Sequence, residues 1–169
     1  VWDVVETKDA NGAKSLWVAT EGGGIGRLTN GQWTIWNRAS GLPANVVYGL
    51  HLSRGRDGVS TLWAGTTAGA AYARLEGGPV SWTTLNEASR PALPNAVVYG
   101  IQEDRAGRFY LFTNKGIAQL TPREPTKEDP AAFTLRHFTE GDGLPSDECN
   151  VGASLVDTRG RIFAGTLSG

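Results

Sequence analysis

The chain has 169 residues, with 16 basic against 17 acidic side chains and a formal net charge of −1. These charges are scattered, so there is no electrostatic footprint for nucleic acid or for an anionic membrane surface, and no apolar run approaches the roughly 18 to 20 residues of a membrane span. A lone Cys149 excludes an internal disulfide framework and any multi-cysteine metal site.

Val1 to Glu6 mixes Val and Trp as a strand does, and Asn11-Gly12 supplies hairpin-turn chemistry before Leu16 to Thr20. Gly22-Gly23-Gly24 then reverses the chain into Ile25 to Leu28, and Asn30-Gly31 into Trp33 to Trp36. Four short strands joined by three tight turns make one meander. Asn37 to Asn45, with Gly41-Leu42-Pro43 at its middle, reads as a loop, because proline cannot donate to a ladder.

The order then repeats. Strands are expected over Val46 to Leu52, Leu62 to Thr66, Ala71 to Leu75 and Ser81 to Leu85, with Asp57-Gly58 at the first turn and Gly77-Gly78-Pro79 before the last strand. Ala92-Leu93-Pro94 opens a third set over Val97 to Ile101, Phe109 to Thr113, Ile117 to Leu120 and Phe133 to Phe138. Its Val97-Val98-Tyr99-Gly100-Ile101 nearly duplicates Val46-Val47-Tyr48-Gly49-Leu50, and Pro122 to Pro130 reads as an inserted surface loop. Gly143-Leu144-Pro145 begins a fourth set, with strands expected over Val151 to Val156 and Ile162 to Thr166.

One pattern marks all four sets: apolar, aromatic, apolar or small, small or aromatic, Thr, then Gly three residues on. It reads Leu62-Trp63-Ala64-Gly65-Thr66 with Gly69 in its clearest copy, and its threonines at 20, 66, 113 and 166 are spaced 46, 47 and 53 residues apart. Short strands punctuated by glycine at that period point to propeller blades. The expected fold is therefore all-β, a partial β-propeller of three four-stranded antiparallel blades, about 1–37, 46–86 and 96–139, plus a half-blade at 150–169. Closed propellers typically use four to eight blades, so the segment is expected to belong to a longer chain and, on its own, to self-associate through its uncovered end blades. Trp17, Trp63, Tyr110 and Phe163 share one position and are expected to pack between sheets as core.

Gly41-Leu42-Pro43-Ala44-Asn45-Val46-Val47, followed by a strand, a turn and Leu-Trp-x-Gly-Thr, resembles the two-component regulator propeller repeat of bacterial sensor proteins. The likeness recurs along nearly the whole chain, with Ala92 and Phe112 departing from it in the third copy. Gly143 to Asn150 with Gly152-Ala153-Ser154 is similar to the form this family shows in its last blade, although Cys149 stands where that form usually carries an aromatic. The resemblance implies the C-terminal blades of a propeller that forms the extracytoplasmic, periplasmic or extracellular input region of hybrid histidine kinases, or of cyclase and related receptors. It further implies a following small β-sandwich, a membrane helix and a cytoplasmic output module.

No catalytic constellation, cofactor motif or metal-ligand spacing stands out. His51 and His137 lie far apart in sequence, and the glycines after each threonine lack the strand-to-helix context of a phosphate loop. Asp104 and Asp157 precede turn glycines, where Asp accepts backbone hydrogen bonds. The candidate ligand-binding residues are Asn45, Asn95, Asp147, Glu148 and Asn150, which follow a Leu-Pro and are expected to gather at one mouth of the channel. Loop capping is the competing role for them. The expected function is a non-catalytic ligand-sensing or interaction module of a signal-transduction protein, its partner a small molecule, an oligosaccharide or a protein. The alternatives are a protein-binding propeller scaffold and a propeller polysaccharide lyase or hydrolase.

Overall fold

The computed structural model describes residues 1–9, 11–55, 57–76, 78–124, 126–127 and 132–169. Its strands are β1 (Asp3–Lys8), β2 (Lys14–Ala19), β3 (Ile25–Thr29), β4 (Gln32–Trp36), β5 (Val47–Arg54), β6 (Ser60–Thr66) and β7 (Gly69–Arg74). They continue as β8 (Thr83–Leu85), β9 (Val98–Glu103), β10 (Phe109–Thr113), β11 (Gly116–Pro122), β12 (Phe133–Phe138), β13 (Cys149–Val156) and β14 (Ile162–Thr166). Each set pairs in sequence order, as three four-stranded antiparallel sheets and the two-stranded β13–β14. The fold is all-β and has the form of a partial β-propeller. Much of the insertion expected over 122–130 lies outside the described residues, as does Gly77, while Pro122 ends β11 rather than opening a loop. Among the described residues no helix is long and apolar enough to cross a membrane.

The repeated threonine builds the turn between the second and third strand of each blade. Thr66 Oγ1 donates to the Gly69 carbonyl at 2.7 Å and accepts the Ala68 N–H, and Thr113 does the same with Gly116 and Lys115. The glycine is required twice over at Gly116, where φ is +79° and an added Cβ would lie 2.1 Å from the Phe138 carbonyl oxygen. In the first blade Thr20 reaches Gly24 rather than Gly23, because that turn carries one extra glycine.

Alternation divides each sheet into two faces. Trp17, Ala19, Ile25 and Trp36 of the first sheet meet Leu50, Leu62, Ala64 and Ala71 of the second. On the second sheet's other face Trp63, Ala70 and Leu85 meet Ile101, Phe109, Leu111 and Leu120 of the third. Phe112 and Ile117 then pack toward Cys149, Ile162 and Ala164. Trp63 sits 4.4 Å from the Phe109 ring, centroid to centroid, and Trp17 stacks on Trp36 at 5.4 Å with the Arg27 guanidinium over both rings.

The shared aromatic position does not have one fate. Trp17 and Trp63 are buried as expected, but Tyr110 is half-buried and Phe163 is 45% exposed. Tyr110 turns its hydroxyl to Gln119 and Asp104, while Phe163 lies on the one face of β13–β14 that no described sheet covers.

Candidate functional site: the channel face

Each blade is joined to the next by a short looped connection. After β4, Asn37 caps the 3-10 turn Arg38–Ser40, Gly41 closes it at φ +103°, and the Leu42 N–H returns to the Asn37 carbonyl at 3.0 Å. Thr139, Glu140–Asp142 and Gly143 repeat the arrangement after β12, and Leu93 bonds back to Asn86 in the same way after β8.

The five sequence candidates sit in or just after these connections, in different roles. Asn45 Oδ1 accepts the Arg38 N–H at 2.9 Å and Asp147 Oδ1 the Glu140 N–H at 2.6 Å, so both hold the 3-10 turn from the same position. Asn95 stands one place earlier in its repeat and accepts the Val97 N–H, as Ser146 accepts that of Glu148. Asn150 Nδ2 donates to the Thr166 carbonyl. None of the five lines the cavity described next.

That cavity has a volume of about 410 Å³ and lies where β1, β5, β9 and β13 converge. These are the first strands of their sheets, and they form the inner wall of the propeller. Its polar and aromatic lining comprises Trp2, Asp3, Tyr48, Tyr99, Gln102 and Ser154. Bulges place the tyrosines there: Val47 and Gly49 pair with Thr66 and Gly65, and Val98 and Gly100 with Thr113 and Phe112, leaving Tyr48 and Tyr99 without a partner opposite. An unpaired bulge residue is aimed away from the regular alternation. Asp3 pairs with Ala19 as Gly49 pairs with Gly65, so Trp2 precedes β1 in the position of the two tyrosines.

The three rings form a row across three blades. Trp2 and Tyr48 are 5.8 Å apart with planes at 72°, and Tyr48 and Tyr99 are 5.5 Å apart at 52°. Glycine lets the inner strands come this close: a Cβ at Gly49 would lie 3.3 Å from the Tyr99 carbonyl, and one at Gly100 would lie 3.1 Å from Ser154 Oγ. Asp3 is locked by two backbone donors, Val4 N–H to Oδ1 at 2.7 Å and Leu50 N–H to Oδ2 at 2.8 Å. Gln102 donates to the Ser154 carbonyl at 3.2 Å and ties the third blade to the fourth. Burial, together with the negative charge of Glu148, pushes the Tyr99 phenol up from its ordinary pKa.

Sequence reasoning missed this row. Its signal was the duplicated Val-Tyr-Gly of 47–49 and 98–100, read there only as a strand match.

The remaining chemistry-bearing residues take part in packing and turns. His51 Nε2 meets Glu103 Oε2 at 3.3 Å across the junction of the second and third blades, and His137 bonds the Lys115 carbonyl. Cys149 is buried opposite Thr166, in the register of Val47 and Val98, and burial pushes its thiol up. Burial opposes ionisation of Asp104, but the N–H and guanidinium of Arg108 outweigh it and hold the carboxyl below its usual range. At Asp157 the Arg161 N–H is the main cause of the same lowering. Among the described residues no group of three or more His, Cys, Asp or Glu is placed to hold a metal ion.

No family model matches the chain, and no curated protein matches it in sequence. A crystal structure of the extracellular domain of BT4673 from B. thetaiotaomicron, described as a one component system, is similar in fold at TM-score 0.65 and 18% identity. That match covers 95% of this chain and 21% of the BT4673 chain, so the segment spans a small part of that protein. A second BT4673 structure, described as a hybrid two component system, matches at TM-score 0.39 and 14% identity, too low to bear on the fold.

Proposed function

We propose that this chain is a ligand-sensing or interaction propeller of a bacterial signal-transduction receptor, displayed outside the cytoplasm and non-catalytic by itself. The observation that carries the reading is the cavity on the inner wall, to which every blade contributes its first strand and which the aromatic row lines. Ligands that bridge several blades can shift their relative positions, which is what an input module requires. Support of a second kind comes from the fold likeness to the extracellular domain of BT4673. Catalysis has less support, because the cavity lining holds a single carboxylate and no His, Lys, Arg or second carboxylate to work with it.

A protein-binding scaffold would show an exposed and conspicuously apolar or aromatic rim on its blades. On the first sheet Val4, Leu16, Trp33 and Ile35 are exposed. Their registers, Val4–Val18–Gly26–Ile35 and Leu16–Leu28–Trp33, place them on a sheet face and not on a rim. The same face of the second sheet, with Leu50, Leu62 and Ala64, is the one that packs on its neighbouring blade. It is a seat for another blade.

The test is signal output from the parent receptor. Tyr48→Ala combined with Tyr99→Ala is expected to abolish the response to ligand while expression and membrane insertion stay normal. An unchanged dose–response curve would refute the assignment of the channel as the input site.

A further inference from the structure

We propose that the channel cavity binds an organic cation, a quaternary or tertiary ammonium group held against Trp2, Tyr48 and Tyr99 and balanced by Asp3. The proposal rests on the ligand-sensing reading and names its ligand class. Three observations carry it. The cavity is lined by three aromatic rings and one carboxylate, with no Lys, Arg or His among its lining residues. Such a lining disfavours anions and favours a cation, whose attraction to ring faces grows when it is partly desolvated.

Ring geometry separates a cation from a sugar. A saccharide stacks best on one flat aromatic surface, whereas successive rings at 72° and 52° present angled faces. A compact, rounded ammonium group can meet such rings from more than one side. Asp3 is well suited to the counter-charge. Its two oxygens are fixed by the Val4 and Leu50 N–H groups, and each retains a lone pair for a ligand.

The experiment is calorimetric titration of the 169-residue chain with choline, with neohexyl alcohol as the uncharged isostere in which carbon replaces nitrogen, and with maltose. Saturable choline binding is expected, with the isostere at least about tenfold weaker because it lacks the cation–π and carboxylate attraction. Tyr48→Leu and Asp3→Asn should each weaken choline about tenfold. Asp3→Asn keeps an oxygen for the Leu50 N–H, and Tyr48→Leu alters a half-buried bulge residue, so one variant remains informative if the other unfolds. Equal affinity for choline and its isostere, no saturable choline binding, or maltose binding that displaces choline would each overturn the proposal. Because the titration needs no output module, its failure leaves the sensor reading standing, and a receptor response carried by another ligand leaves the titration result standing.

Discussion

At the residue scale the repeat is a device for turning the chain. The Thr hydroxyl closes the loop onto a glycine that must be left-handed and must lack a Cβ, as Gly116 shows against the Phe138 carbonyl. Gly116→Ala combines positive-φ strain with a backbone clash, and a loss of roughly 2 to 4 kcal/mol is expected, read from chemical denaturation. A change below about 0.5 kcal/mol would contradict that account. This part was legible in the sequence, because Thr and Gly recur at fixed spacing. The shift of the partner from Gly23 to Gly24 was not, since three consecutive glycines offer no local means of choosing. Nor was the aim of Tyr48 and Tyr99. A bulge is a property of pairing with the neighbouring strand, so the duplicated Val-Tyr-Gly marks the position without telling where its tyrosine points. The candidates Asn45, Asn95, Asp147, Glu148 and Asn150 were found by their place after Leu-Pro; three of them, Asn45, Asn95 and Asp147, accept backbone N–H groups of their own connection, and Asn150 donates to the Thr166 carbonyl of the next strand.

At the element scale one aromatic position has different energetics in different blades. Trp63 is 1% exposed between the second and third sheets, and Phe163, its counterpart, is 45% exposed. Trp63→Ala should therefore cost about 3 to 5 kcal/mol, and Phe163→Ala less than about 1 kcal/mol, in parallel thermal and denaturant melts. Similar losses at both sites would mean that Phe163 is covered in solution. Periodicity located the strands to within a few residues, because alternation and turn glycines are local signals. It could not grade the burial of Phe163, which depends on the next sheet and not on the strand that carries it.

At the scale of the whole molecule, both ends of the row of blades carry apolar faces without a described neighbour. Trp33 is 57% and Ile35 60% exposed on the first sheet, and Leu155 and Phe163 are exposed on the last pair of strands. Stacked repeats bury their faces only against each other, so the isolated chain is expected to self-associate. Sedimentation velocity should show mass increasing with concentration, and Trp33→Lys with Ile35→Lys should shift it toward monomer. A concentration-independent monomer for the unaltered chain would show that these faces are tolerated in water. On the inner wall Asp3 is tied to Leu50 and Gln102 to Ser154, so under the proposed function a ligand bound there would act on the junctions between blades. Whether that action is signalling is decided most directly by reading the coding sequence on both sides of these 169 codons. The account predicts further propeller blades, a membrane span and a kinase, cyclase or other output module. A continuation into a secreted catalytic domain, with no span and no output module, would contradict it.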